Sequence, residues 1–105
     1  MVYELRTYEV VPGRMPALHA RFENVTRRFF EKHGIRVIGY WEAVIGTSNQ
    51  LVWLIEWQDL AERERKWDAF ATDPEWLAAR AETERDGPIV ARATNVILRK
   101  TPYSP

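Results

Sequence analysis

The sequence predicts an α+β fold, a four-stranded antiparallel sheet with its helices on one face. Three observations predict it. Stretches rich in β-branched and aromatic residues recur four times along the chain. Two helical regions, with apolar residues at steps of three and four, fall after the first and third of them. The second and third stretches are separated only by a short turn. The resulting order, βαββαβ, is two βαβ-like halves joined through a central hairpin, the split-βαβ or ferredoxin-like plan. An open doubly wound sheet needs more helical crossovers than this chain contains. At 105 residues, residues 1–105 are expected to form a single domain with one core.

The first strand, residues 2–10, is rich in Val, Tyr and Thr and closes at the turn signal Val11-Pro12-Gly13. "RMPALHARFENVTRRFFEKHG" follows as an amphipathic helix carrying Leu18, Phe22, Val25 and Phe29 on one stripe, with Pro16 in its first turn and Gly34 as its stop. Residues 35–46 and 49–57 read as two strands of a hairpin turning at Thr47-Ser48, with Gly46 and Asn49 as turn-compatible residues. A second helical region opens at Asp59, with Glu62 placed for a capping box and Leu60, Trp67 and Phe70 facing inward. It breaks at Thr72 and restarts at Asp73-Pro74-Glu75, an N-cap, a first-turn proline and a first-turn acid, then runs to about Arg85. "IVARATNVILRK" supplies the fourth strand.

Lys and Arg number 15, as do Asp and Glu, with no sustained run of one sign. That argues against a nucleic-acid or anionic-membrane surface as the main business of the chain. No apolar run approaches the roughly 20 residues of a membrane span. Met1 leads directly into strand-like sequence without a leader pattern, so the expected location is cytoplasmic. The absence of cysteine removes disulfides, thiolate metal sites and a Cys nucleophile.

Strand 49–57 is apolar on both faces: Leu51, Trp53, Ile55 and Trp57 on one, Val52 and Leu54 on the other. Its neighbour does the same with Ile35, Val37, Trp41 and Ile45 against Ile38, Tyr40 and Val44. Each large side chain left in water forfeits roughly 1.5–3 kcal/mol. Helices cover one face only, so the other is expected to meet a second copy of the sheet about a two-fold axis. The expected assembly is a homodimeric α+β barrel with a cavity between sheet and dimer partner. On the first strand Tyr3 and Leu5 read as core, which sends Glu4, Arg6 and Tyr8 to the face away from the helices, lining that cavity.

"YELRTYEVVPGR", "HGIRVIGYWEAVIGTSNQLVWLIEW" and "ERKWDAFATDPEWLA" together resemble the NIPSNAP family, over nearly the whole chain. The combination of Glu-Leu-Arg-Thr-Tyr, Gly-x-x-Asn-Gln and Asp-Pro-x-Trp carries the resemblance. It implies the dimeric α+β barrel superfamily, whose other members include cofactor-independent quinone-forming monooxygenases and haem-degrading enzymes. Eukaryotic NIPSNAP proteins resemble mitochondrial scaffold and signalling proteins. This chain departs from the family at Trp53, where a histidine is expected in many relatives.

Glu4, Arg6 and Tyr8 stand at i, i+2, i+4, roughly 6.5 Å apart in successive steps. Arg6 suits a carboxylate or enolate oxygen and Tyr8 or Glu4 a proton transfer, so Arg6 and Tyr8 are the candidate catalytic pair. The bland alternative is a buried Glu4–Arg6 pair satisfying itself. Trp41 and Trp53 are candidate stacking surfaces, so that Glu4, Arg6, Tyr8, Trp41 and Trp53 form the candidate ligand set; Trp57 shares the spacing, and core is the competing role. His33 suits a helix C-terminus, and His19 lies about 21 Å away along the same helix, too far to share a metal with it. Arg63, Arg65 and Lys66 read as a solvated helix face, and Trp76 as a helix anchor. No metal-ligand spacing, phosphate-binding glycine loop or Ser-His-Asp arrangement is present, so no metal or cofactor is expected. The leading reading is a homodimer binding a small, partly aromatic or acidic molecule. A cofactor-independent monooxygenase or isomerase is the alternative, and a protein-interaction scaffold is the third.

Overall fold

The computed structural model describes all 105 residues. Four strands, β1 (Val2–Val10), β2 (Arg36–Glu42), β3 (Gln50–Trp57) and β4 (Val90–Leu98), form one antiparallel sheet in the order β2-β3-β1-β4. Between β1 and β2 the chain is helical as α1 (Met15–Arg21), a π-helical turn (Phe22–Thr26) and α2 (Arg27–Lys32). Between β3 and β4 lie α3 (Leu60–Ala71) and α4 (Pro74–Thr83). This is the expected ferredoxin-like plan, with all helices on one face.

The helix caps follow the sequence. Asp59 accepts the Glu62 N–H at 2.8 Å, and Glu62 reaches back to the Gln58 N–H at 3.4 Å, one residue before the cap. Thr72 ends α3, and Asp73 accepts the Glu75 N–H with Pro74 in the first turn of α4. Two local expectations fail. Leu60 is more than half exposed, because it sits at the first position of α3, outside the stripe that Trp67 and Phe70 turn inward. The hairpin is wider than a tight turn: β2 ends at Glu42 and β3 begins at Gln50, leaving a seven-residue loop in which Val44 and Ile45 stand almost wholly in solvent. Asn49 takes the left-handed φ of 58° that returns this loop to β3.

Register decides the faces. Glu4 lies opposite Ile55, Arg6 opposite Trp53 and Tyr8 opposite Leu51. Trp53, Ile55 and Trp57 are fully buried beneath the helices and Leu51 almost so. The even positions of β1 therefore point toward the helices, the reverse of the expectation from Tyr3 and Leu5. The physical reason is bulk: two indoles, an isoleucine and a leucine on one face of β3 fix which side turns inward, and side chains directly across a ladder share a face. Tyr3, Leu5 and Thr7 share the uncovered face with Val52, Leu54, Val96 and Leu98.

On β2 a bulge between Val37 and Gly39 interrupts the alternation. Val37 and Tyr40 consequently both pack on the core, whereas Ile38 and Trp41 are about half exposed. The Trp41 indole folds over Gly39, where an added Cβ would come within 2.8 Å of the ring. Trp41 and Trp53 thus lie on opposite faces of the sheet.

Candidate functional site: a cavity between sheet and helices

Glu4 is the centre of a buried network. One carboxylate oxygen accepts from Arg63 Nε at 2.7 Å and Trp57 Nε1 at 3.0 Å. The other accepts from Asn95 Nδ2 at 2.8 Å, Arg6 Nη1 at 2.9 Å and Arg63 Nη2 at 3.2 Å. Burial alone would push the Glu4 carboxyl up. The hydrogen bonds from Arg63, Asn95, Trp57 and Arg6 outweigh it and hold the group at about 2. Glu4 is a fixed anion with its lone pairs taken, which removes it from proton transfer. Arg63, read from the sequence as part of a solvated face, instead turns its guanidinium under α3 to meet this carboxylate.

Arg6 continues from the network into an aromatic enclosure. Its guanidinium carbon lies 4.5 Å from the Trp67 ring centre, 5.5 Å from Trp53 and 5.9 Å from Tyr8. Only Nη1 meets Glu4, and the buried Nε has no acceptor within the chain. Tyr8 stacks on Phe22 at 6.1 Å and meets Trp53 edge-on at 5.8 Å, with no hydrogen bond from its hydroxyl to the chain.

Arg6 and Tyr8 open onto a cavity of about 320 Å³ between the sheet and the helices. Val90, Ala91, Arg92 and Ala93 of the edge strand β4 form one side of it. Arg21, Phe22, Thr26 and Phe30 from the first helical region form another, and Trp67, Phe70, Trp76 and Arg80 of α3 and α4 the third. The wall holds six aromatic rings and the guanidiniums of Arg6, Arg21 and Arg80, and no acid, lysine or histidine; Arg92, opposite Glu9, contributes strand rather than charge. Glu84, outside the lining, bonds Arg21 at 3.0 Å and sits 3.4 Å from Arg80, fixing both.

Of the candidate residues, Glu4, Arg6, Tyr8 and Trp53 come together on the helix side. Trp41 does not join them. Trp53 backs the cavity rather than lining it, stacked on Phe30 at 5.2 Å and Tyr40 at 5.9 Å. The polar row expected between sheet and dimer partner therefore lies inside the chain's own fold, under the helices. Sequence reading missed Arg21, Arg80, Thr26 and Trp67 as wall residues. The available signal was Arg21 and Thr26 set beside the buried stripe of Leu18, Phe22 and Phe30, polar residues where apolar ones would fit.

The histidines have structural partners. His33 Nε2 lies 2.7 Å from Asp73, which also takes Lys32 at 2.8 Å, so the cap of α4 is tied to the end of α2. Lys32 and His33 hold the Asp73 carboxyl well below the usual carboxylate range. His19 pairs with Glu42 at 3.3 Å on the surface.

The fold and this cavity define a ferredoxin-like α+β protein with an aromatic, arginine-rich pocket under its helices. The NIPSNAP family pattern matches residues 3–105, and the chain belongs to that family. A NipSnap homolog of Dictyostelium discoideum is 29% identical over 105 residues, covering 99% of this chain; the chain spans 39% of that protein. A NIPSNAP-like domain protein of Burkholderia xenovorans matches in structure with a TM-score of 0.88 at 29% identity, over 99% of this chain and 88% of that one. A NIPSNAP family protein of Agrobacterium tumefaciens gives 0.87 at 28% identity, over 100% of this chain and 92% of that one. No helix is long and apolar enough to cross a membrane.

Proposed function

We propose that the chain is a homodimeric NIPSNAP domain that binds a small aromatic carboxylate in the cavity between its sheet and its helices. The observation that carries this reading is the lining itself, six aromatic rings and three inward arginines without an acid. Flat rings accept a flat ring, and a guanidinium with a free edge accepts a carboxylate in fork geometry. About 320 Å³ lies at the small end of ligand sites, suited to one ring with its substituents. The open cavity with Arg6 in its wall supports ligand binding over a purely scaffolding use of the helix surface. The enzyme alternative finds less support: Glu4 is consumed by its network and both histidines lie elsewhere, so proton abstraction from a bound molecule would fall to Tyr8.

The second part of the proposal is the dimer. The uncovered face carries Tyr3, Leu5, Val52 and Leu54, with Trp41, Val96 and Leu98 around them. An apolar surface of this extent is the usual mark of an interface, and a second copy of the same sheet is a self-complementary cover.

Binding is tested by tryptophan fluorescence, since Trp67 and Trp76 stand in the wall. Benzoate is expected to quench it saturably, benzyl alcohol to act far more weakly, and Arg6→Lys to weaken benzoate about tenfold or more through loss of the fork. A flat benzoate titration up to millimolar concentration would overturn the reading.

A further inference from the structure

The lining contains one polar side chain that is neither charged nor aromatic. Thr26 is 5% exposed and lines the cavity, and its hydroxyl makes no hydrogen bond to the rest of the chain. It closes the π turn Phe22–Thr26, whose Phe22 carbonyl accepts the Arg27 N–H, an i to i−5 bond inside an otherwise regular helix. In a regular helix a threonine hydroxyl commonly bonds the carbonyl four residues back, as Thr72 does to Asp68 at 2.7 Å. The widened turn leaves Thr26 without that bond.

The position is otherwise apolar in character. Leu18, Phe22, Thr26 and Phe30 recur every four residues and are all buried, so a valine would complete the stripe. The Thr26 hydroxyl is not one of the polar atoms sealed from solvent: it opens onto the cavity, where a bound molecule can hydrogen-bond to it. The guanidiniums of Arg6, Arg21 and Arg80 can only donate. Thr26 Oγ1 both donates and accepts, so it can read a group that they cannot.

We propose that Thr26 is the specificity-determining contact of the cavity, and that the ligand is an aromatic carboxylate bearing a ring hydroxyl that hydrogen-bonds to Thr26 Oγ1. This rests on the aromatic carboxylate reading above. The carboxylate is held on the arginine side, the ring lies among the aromatic side chains, and the hydroxyl meets the π turn.

The test compares benzoate with 2-, 3- and 4-hydroxybenzoate on the wild-type protein, Thr26→Val and Thr26→Ser, by calorimetric titration. At least one hydroxybenzoate is expected to bind the wild type about three- to tenfold more tightly than benzoate, the range of one net hydrogen bond. Thr26→Val should abolish that preference, and Thr26→Ser should keep it. The ligand-free Thr26→Val protein should melt at or above the wild-type temperature, whereas a hydroxyl with a structural partner would make it melt lower. A hydroxybenzoate preference that survives in Thr26→Val, or no preference in the wild type, overturns the role of Thr26 and leaves benzoate binding standing. Failure of all four acids to bind the wild type overturns both readings.

Discussion

The two faces of the sheet are inverted relative to a simple soluble domain. The face under the helices holds Glu4, Arg6 and Asn95 among indole and phenyl rings, with Arg63 reaching in from α3, whereas the uncovered face holds Tyr3, Leu5, Val52 and Leu54. The difference separates two roles. Polar groups go inside where every lone pair of Glu4 finds a donor and where Arg6 has a cavity to serve. Apolar groups lie on the outer face, the one we propose a second sheet covers. Burying ions is tolerable only when they are paired and hydrogen-bonded, and Glu4 meets that condition, whereas Arg6 keeps its Nε without an acceptor.

The outer face offers the largest effect. Leu54→Lys places a charge twice in each two-fold interface, removing roughly 3–6 kcal/mol of apolar burial per dimer and weakening association about a hundredfold or more. Light scattering on dilution should show monomers with an unchanged circular dichroism spectrum. A Leu54→Lys protein that stays dimeric places the joint elsewhere.

The inner face should respond through stability instead. Glu4→Ala leaves Arg6, Arg63, Trp57 and Asn95 without their shared acceptor and should cost about 3–5 kcal/mol in urea unfolding. Its pH dependence has a defined sign. The folded pKa of Glu4 is depressed from 4.5 to about 2, so its contribution is present above pH 4.5 and is lost as pH falls from there through about 2. Stability measured across that window should fall more steeply for the wild type than for Glu4→Gln.

Smaller effects test the details that set the two faces apart. Gly39→Ala drives a methyl group into the Trp41 ring and should cost about 1–3 kcal/mol, recovered in part by Trp41→Ala. Asp59→Ala removes the α3 cap and should cost about 1 kcal/mol, with no effect on dimerisation.

Element order was legible because each element carries its own local signals: Pro12-Gly13 after β1, Asp59 and Asp73 as caps, Gly34 after α2. That both faces of β3 are apolar was legible from Val52 and Leu54 facing opposite to Trp53 and Ile55. Which side of β1 turns inward was not, because parity groups residues by face without saying which face is buried. That choice rests on the β1–β3 register and on a partner, Arg63, 59 residues away from Glu4. The bulge at Val37–Gly39 escaped although Gly39, a glycine inside a strand pattern, is the local mark of one. The cavity wall was half visible, since Arg6 and Tyr8 belong to one strand, whereas Arg21, Thr26, Trp67 and Arg80 join them only through tertiary packing.

We propose that the helix side of the sheet receives the ligand and the uncovered side the partner. Anomalous diffraction from a crystal grown with 4-bromobenzoate tests it most directly. A bromine peak is expected between sheet and helices, with the carboxylate against Arg6 and the ring beside Trp67. A bromine peak on the Val52–Leu54 face, with the helix-side cavity unfilled, would contradict it.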